Sequence, residues 1–457
     1  MTSYVQNTAI LLANGVVALR GAAIDIADQA IAAANPGMAL RRLLRFDGSR
    51  LSIGEHSFAL TENNRIFVIG AGKATFPIVK ILDDTLGERI HSGFVTCKVG
   101  QDGALRHIEL HYASHPIPNE ASHLAALRTQ ALLREVRSGD IVLACFTGGS
   151  SALFVDPVES VSLADKMQTN RILLECGANI IEINAVRKHL SRVKGGKLVR
   201  GLPAGARLIN LTVSDVIGDH LDYITDPSVP DTSSFGDAKT TLDKYNLWAN
   251  MPSSVTKFLS QARAKDETVR EASLSHIART DIVLVKNDAA CHAAATAAQA
   301  LGYNTLILST VFEGESSELG RFMAATARQA ISDGHPVKLP FVLIGGGECT
   351  VKMSNGSGRG GPNQEFATAF ALDIVGCDNV VALSIDTDGT DGPTDIAGAL
   401  VDGETVGLAR SRGIDLYQHL CSHDVTPALT SLGATIMTGA TGTNVNDLHL
   451  VIAGYNN

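Results

Sequence analysis

Four carboxylates and two glycines follow directly on an apolar run, where Val380 to Ile385 leads into Asp386-Thr387-Asp388-Gly389-Thr390-Asp391-Gly392-Pro393-Thr394-Asp395. An apolar run closed by Gly and Asp reads as a buried strand ending in a loop, and in open α/β sheets ligands bind beyond the carboxyl ends of strands. Such a loop can hold Mg²⁺ through carboxylates or set one carboxylate beside a substrate hydroxyl, and the same residue types are good turn formers. An EF-hand is excluded, because its sixth and twelfth positions require Gly and Glu where this chain has Asp391 and Ala397.

Other loops carry chemistry of the opposite sign. Arg65 to Ile69 runs into Gly70-Ala71-Gly72-Lys73-Ala74-Thr75 and then the amphipathic segment Pro77 to Leu86, which reads as strand, Gly-rich turn and helix. This order points backbone N–H groups toward an anion, with Lys73 at the mouth of the turn. It is not a Walker A loop, since Phe67 and Ala74 stand where Gly and Ser or Thr are needed. Nor is it a dinucleotide fingerprint, since Thr75 takes the third small position and no acid closes the next strand candidate, Gly93 to Lys98. A second buried run, Asp140 to Phe146, ends in Thr147-Gly148-Gly149-Ser150-Ser151-Ala152-Leu153, a nest for phosphate or carboxylate that lacks the GxSxG nucleophile elbow. Between them His115, before Pro116, is expected only to shape a loop. Six basic residues crowd into Arg187 to Lys197, and helical spacing would put Arg187, Ser191 and Lys194 on one anion-binding face. A strand Arg207 to Val213 then ends in Ser214-Asp215-Val216-Ile217-Gly218-Asp219, again with carboxylates at its terminus.

These loops need a scaffold of alternating strands and helices. The expected class is α/β: two α/β domains, the N-terminal one Rossmann-like, with the active site in the cleft between them. Helices are expected up to about Leu44, over Glu120 to Val136, from Leu163 to about Leu202, over Asp288 to Leu301 and Ser317 to Ser332, from Asn363 onward, and from Glu404 to about Leu420. Strands are expected at Ile108 to Tyr112, Asp281 to Val285, Asn304 to Ser309 and Pro340 to Ile344, the last closing in the loop Gly345-Gly346-Gly347-Glu348-Cys349-Thr350. The polar stretch Asp237 to Ser253 serves as connection between an N-terminal domain, 1–245, and a C-terminal one, 246–457.

Composition narrows the partners. The 457 residues carry a net charge of -9, which argues against nucleic acid as the main ligand, because phosphate backbones select basic surfaces. Seven scattered cysteines without a CxxC pair read as reduced thiols, and no signal-like or membrane-spanning run is present, so a cytoplasmic protein with no membrane partner is expected.

In order along the chain stand Gly70-Ala71-Gly72-Lys73-Ala74, His115-Pro116, Gly148 through Leu153, Asn184 through Arg187-Lys188-His189-Leu190-Ser191 to Lys194-Gly195-Gly196, and Ser214-Asp215-Val216 with Gly218-Asp219. They continue with Gly346-Gly347-Glu348-Cys349-Thr350-Val351, Gly360-Gly361-Pro362-Asn363-Gln364-Glu365, Asp388 through Asp395, and Thr441-Gly442-Thr443-Asn444-Val445-Asn446-Asp447. Together these motifs resemble the glycerate 2-kinase family with a C-terminal MOFRL domain (about 340–450 here), some members of which have been named hydroxypyruvate reductases. The resemblance implies ATP as phosphoryl donor, a divalent metal and D-glycerate as acceptor at its 2-hydroxyl, with Lys73 matching the family's functional lysine and Asp215 the aspartate of its SDV motif. The family often has Arg where Pro362 stands, and Arg359 is expected to supply that charge. Asp226 and Ala440 stand where Gly and Pro are frequent.

The expected catalytic residues are therefore Lys73, Asp215, Arg359 and Asp388, with Asp215 and Asp388 as Mg²⁺ ligands. Substrate and nucleotide are expected to contact Gly70, Gly72, Gly148, Gly149, Ser150, Ser151, Asn184, Arg187, Lys194, Gly347, Glu348, Asn363, Gln364, Glu365, Asp391, Thr443 and Asn444. Phosphoryl transfer asks for positioning and positive charge, which this inventory offers. The rivals are NAD(P)H-dependent reduction of hydroxypyruvate, which lacks its fingerprint here, and a non-catalytic sugar-acid or nucleotide sensor, which would not need acids at strand ends. A homo-oligomer is compatible with the sequence.

Overall fold

The computed structural model describes residues 3–101, 103–214, 227–286, 288–352 and 358–455. Asp215, Gly218, Asp219 and Asp226 lie outside these residues.

By its contacts the chain divides into two compact units, Pro36–Leu284 and Met1–Asn35 with Val285–Asn457. In the first, β1 (Leu44–Phe46), β2 (Arg50–Ile53) and β3 (His56–Ala59) form a small antiparallel sheet. The main sheet contains β4 (Ile66–Ala71), β5 (Ile90–Lys98), β6 (Glu109–Ala113), β7 (Ile141–Phe146), β8 (Arg207–Val213) and β9 (Ala278–Val285) in the order β6-β5-β4-β7-β8-β9. The pairs from β6 to β8 are parallel. Every residue of β4 and β7 is buried, as near-continuous apolar runs demand when helices cover both faces. Phe67, Ile69, Val142, Ala144 and Phe146 anchor one side of the core, each large side chain contributing about 1.5–3 kcal/mol by leaving water. From β4 the chain winds outward through β5 and β6, then returns to β7 on the other flank. The adjacent β4 and β7 thus form a topological switch point, where such sheets open a crevice.

In the second unit β10 (Asn304–Glu315), β11 (Phe341–Thr350), β12 (Val380–Asp386), β13 (Gly398–Asp402), β14 (Thr435–Ile436) and β15 (Asp447–Ala453) make a mixed sheet in the order β10-β11-β15-β12-β13-β14. Only β10 and β11 among these run parallel. The helix Pro362–Asp373 is buried nearly all round, with Phe366 and Phe370 in the core against the helix Ser316–Asp333 and the sheet. The helix Val17–Ala33 packs on the helix Ala289–Ala300 and on β12 and β15, which places the first 35 residues with this unit. Its Arg20 reaches Asp402 at the end of β13, with Nε 2.7 Å from Oδ2 and both side chains buried. No helix among the described residues is long and apolar enough to cross a membrane.

Several expectations are corrected. The segment 163–202 is not one helix: Leu163–Glu175 stops before Gly177 (φ 78°), and Ile180–His189 restarts on a capping box between Asn179 and Glu182. Because that helix ends at His189, Ser191 and Lys194 lie in the turns beyond it and do not continue a helical face with Arg187. Asp237 to Ser253 is not a connection either. Ser234 and Asp237 cap the helix Phe235–Lys244, and Phe235, Leu242, Leu247 and Met251 join Val255 and Leu259 in an apolar cluster. Glu404 to Leu420 is two helices, Thr405–Ser411 and Leu416–Cys421, separated at Gly413.

Gly345 to Thr350 is not a loop but the continuation of β11, paired with β10 on one side and, through Gly347, with β15 on the other. Glycine is required there by close approach. A Cβ at Gly347 (φ 146°) would lie 2.2 Å from the Phe312 carbonyl oxygen, and one at Gly346 would lie 2.5 Å from Cys291 Sγ.

Candidate active site

The switch point of the parallel sheet carries Lys73. Its backbone N–H donates to the Gly148 carbonyl at 2.9 Å, tying the β4 and β7 loops together, and its carbonyl accepts from Gln101 Nε2, beyond β5, at 2.5 Å, so the turn is held from both flanks. Thr147 Oγ1 adds a third tie, accepting from Ala74 N at 3.1 Å. Gly70 and Gly72 allow the two loops to touch, since a Cβ at 70 would meet the Cys145 carbonyl and one at 72 the Thr147 hydroxyl. Gly149 has φ of 84°, and a Cβ there would lie 3.0 Å from Lys73 Cγ and 3.2 Å from His115 Nε2. Lys73 and His115 therefore flank Gly149, so His115 stands beside the lysine. Ser150 is buried and Ser151 half-buried in the short helix Ser150–Leu153.

That helix leads to Asp156 and Pro157, where Pro157 bridges the backbone of Ser191 and thereby meets the basic turns. Here the structure gathers a buried cationic cluster. Lys166, 4% exposed, donates from Nζ to the Arg187 carbonyl at 3.3 Å. Arg187 Nε donates to Asn170 at 3.2 Å, and Lys197 Nζ donates to the carbonyls of Ser191 and Lys188 at 2.9 and 3.4 Å. Lys194 and Asn184 are buried nearby in sequence, and Lys188 pairs with Asp231 at 2.7 Å. Among the described residues, Lys166, Arg187 and Lys197 form no ion pair. Burial, followed by the charges of Lys194, Arg187 and Lys197, pushes Lys166 down to about 7, with Asp156 opposing. Burial likewise brings Lys197 to about 8, against Glu267 and Asp231. Cations buried among cations are costly, and an anionic ligand would relieve the cost.

The other unit holds the acidic turn that ends β12. Asp388, nearly buried, closes a turn in which its Oδ1 accepts from Thr390 N at 2.8 Å and Thr390 Oγ1 at 2.6 Å, while its own N–H donates to Asp386 Oδ1 at 3.0 Å. The 441–446 loop is laced to this turn, since the Thr387 hydroxyl donates to the Asn446 carbonyl at 2.7 Å and accepts from Val445 N at 2.9 Å.

Asp391 is placed differently from Asp388. Its carboxylate caps the helix Pro362–Asp373, accepting from Asn363 N and Gln364 N, each at 2.9 Å, and from both side-chain amides. Burial pushes it up to about 6 against these four donors. Asn363 also donates to Asp447 at 2.6 Å, Gln364 accepts from Thr426, and Glu365 pairs with His423 at 3.0 Å. These three residues are buried and their side chains are committed to these internal partners. Thr443 is buried too and donates to the Ala34 carbonyl at 2.6 Å, while Asn444 is half-buried. Gly347 and Glu348 lie within β11, the latter with an exposed side chain. Arg359 is exposed, held through backbone bonds to Asp424 and Thr426, and its guanidinium has no hydrogen bond or ion pair among the described residues.

Sequence reasoning missed Lys166, and counted Lys197 only as the end of the basic run, because a lysine in a helix or turn ordinarily lies in water. It also passed over His449, fully buried in β15 with Nδ1 at 2.8 Å from Ser384 Oγ. Two signals were available: a His inside the apolar run Leu448 to Ala453, and Asn179-x-x-Glu182, which announces a helix start next to the cations.

Residues 22–260 match the family described as domain of unknown function (DUF4147), and residues 341–447 match the MOFRL family. The chain is 36% identical to a protein named glycerate 2-kinase of Pyrococcus horikoshii, over 95% of this chain and 97% of that one. It is 37% identical to the D-glycerate 2-kinase of Thermotoga maritima, over 94% and 97%. A relative from Agrobacterium vitis, 38% identical over 85% of this chain and 87% of its own, is provisionally named a hydroxypyruvate reductase. The crystal structure of a glycerate kinase from Thermotoga maritima superposes with a TM-score of 0.79 at 35% identity, covering 95% of this chain and 99% of that one. The chain belongs to the glycerate 2-kinase family that joins a DUF4147 domain to a MOFRL domain.

Proposed function

We propose that this chain is an ATP-dependent kinase that phosphorylates the 2-hydroxyl of D-glycerate, giving 2-phosphoglycerate and ADP. The observation that supports this most directly is the pairing of Lys73 with the Gly148–Gly149 turn at the switch point, followed along the chain by a buried cationic cluster in which Lys166, Arg187 and Lys197 form no ion pair among the described residues. Phosphoryl transfer needs anion positioning and charge stabilisation, and little covalent help. In this reading Lys73, His115 and the Gly148–Ser151 turn hold phosphoryl oxygens, while Arg187, Lys194 and Lys166 hold the glycerate carboxylate. The 2-hydroxyl oxygen attacks the γ-phosphorus, the bond to the β,γ-bridging oxygen breaks, and the hydroxyl proton passes to a carboxylate.

Asp215 and Asp388 are the proposed acids, sharing the roles of base and of Mg²⁺ ligand. The all-oxygen donor set of the Asp386–Asp388 turn suits a hard cation. When bound with ATP, Mg²⁺ would neutralise phosphate charge. Asp391, whose oxygens cap a helix, is proposed to position that turn and not to touch metal. The same geometry argues against Thr443, Asn363, Gln364 and Glu365 as direct ligand contacts, since their side chains are spent on internal bonds. Arg359, exposed and unpaired among the described residues, fits the charge that the family often carries at the position of Pro362. The free thiols of all seven cysteines support a cytoplasmic location.

The test is direct. Purified protein is given D-glycerate, ATP and Mg²⁺ with ADP release followed, beside a second assay with hydroxypyruvate and NADH. ADP and 2-phosphoglycerate are expected in the first and no NADH oxidation in the second; absence of ADP and phosphoglycerate would overturn the proposal.

A further inference from the structure

Near the end of β11 three side chains of different chemistry meet: the sulfur of Cys349, a carboxylate oxygen of Asp447 and a ring nitrogen of His449 all lie within 4.8 Å of one another, and all three residues are buried. The register of β11 on β15 explains the space between them. Asp447 is opposite Gly347 and His449 opposite Gly345, so on this face β11 offers no side chain to fill the gap before Cys349.

Hydrogen bonds settle which ring nitrogen of His449 carries the proton. Asn363 Nδ2 donates to the carboxylates of Asp391 and Asp447, which leaves its Oδ1 as an acceptor. The Ser384 hydroxyl donates to that Oδ1 at 2.6 Å, so Ser384 Oγ can only accept from His449 Nδ1 at 2.8 Å. Nε2 therefore carries a lone pair. It is fully buried, and among the described residues it has no hydrogen-bond partner. A buried acceptor left unsatisfied costs about 1–3 kcal/mol, which calls for an occupant.

We propose that Cys349, Asp447 and His449 bind one Zn²⁺-class divalent ion through Sγ, a carboxylate oxygen and Nε2. A thiolate and imidazole with one carboxylate match the ligand preferences of zinc, whereas Mg²⁺ takes oxygen donors, so this site is distinct from the Mg²⁺ of phosphoryl transfer. Three protein ligands leave a fourth position for water. Binding releases the thiol proton to solvent. The supporting bonds are already in place, because Ser384 holds the far nitrogen of His449, Asn363 Nδ2 holds one oxygen of Asp447, and Cys349 N donates to the other at 3.1 Å. The ion would pin β11 to β15 beside the capped start of the helix Pro362–Asp373.

The full chain, purified in the presence of a reductant and dialysed, is analysed for zinc by mass spectrometry and titrated with Co²⁺ while thiolate-to-cobalt absorption is recorded. One zinc per chain and a saturating cobalt band are expected, with both lost in Cys349→Ser and His449→Gln and affinity about 10–100-fold weaker in Ser384→Ala. X-ray absorption of the wild-type zinc form, expected to show one sulfur at about 2.3 Å and nitrogen or oxygen at about 2.0–2.2 Å, decides the matter even where a variant fails to fold. A wild-type chain that neither retains zinc nor develops the cobalt band, or variants that fold and keep wild-type zinc, would overturn the site and leave water as its occupant.

Discussion

Replacing Lys166 by Met keeps most of the alkyl chain and removes the ammonium, and the two expected effects have opposite signs. In the folded protein Lys166 sits at about 7 against an ordinary 10.5, and each pH unit of such a shift is worth about 1.4 kcal/mol. Charged Lys166 thus costs several kcal/mol. Because the folded value is lowered, the unfolded chain holds this proton more tightly between the two values. Native stability therefore rises with pH across that window, and the full penalty applies below it. Near neutral pH or below, Lys166→Met should melt about 5 °C or more above the wild type, using roughly 2–4 °C per kcal/mol for a unit of this size. The gain should shrink as pH rises from about 7 toward 10.5 and vanish above that, where the wild-type lysine is neutral in both states. Glycerate binding should weaken at the same time. One lost charge-assisted hydrogen bond is worth about 1.5–3 kcal/mol, or roughly 10–100-fold in KM. Thermal unfolding at two pH values and the ADP-release assay measure both. A variant that melts below the wild type near neutral pH and keeps its glycerate KM would refute the reasoning, because Lys166 would then be a satisfied structural residue.

Three further outcomes are expected. Lys73→Ala should lower kcat for ATP-dependent phosphorylation on the order of 10²-fold or more with little change in melting temperature, and near-wild-type turnover would remove Lys73 from the site. Gly149→Ala forces a Cβ into a left-handed position 3.0 Å from Lys73 Cγ, so it should cost about 1 kcal/mol of stability and lower kcat through displacement of Lys73 and His115, as steady-state kinetics would show. Asp402→Ala leaves the buried Arg20 without its carboxylate and should cost about 3–5 kcal/mol by denaturant titration. Against burial, which pushes it up, the hydrogen bond and charge of Arg20 with the bonds from Val16 and Thr405 hold the Asp402 carboxyl below its usual value. Its contribution is therefore complete above about pH 4 and fades as pH falls through the depressed folded value, so wild type and variant should converge in acid.

How far the chain could be read depended on what each residue leaned on. The strands β4 and β7 and their glycine turns were legible because both faces are buried and local pattern agrees with tertiary setting. Gly345 to Gly347 misled because a glycine run reads as a loop, whereas here its lack of side chains is what lets β10 and β15 close on β11 from both sides. Asp391 looked like a ligand by type and spacing, but the helix end that it caps begins 29 residues earlier in the chain at Pro362, a pairing no local pattern contains. Lys166 and His449 were silent for a related reason. Their meaning comes from burial and from partners distant in sequence, and neither residue type advertises burial.

The helix Val17–Ala33 also sets a problem of timing. It packs against the helix Ala289–Ala300, β12 and β15, all of which lie far along the chain. At about 5–20 residues per second of synthesis, an apolar helix made first waits roughly ten seconds or more for any of its partners. Pro36–Leu284, which emerges in that interval, can build its own sheet and core without it. The early segment with Ile24, Ile26, Ala27 and Ile31 must meanwhile stay soluble, by fraying or by lodging in a chaperone. The order of birth along this chain is thus the reverse of the order in which its first helix can be of use.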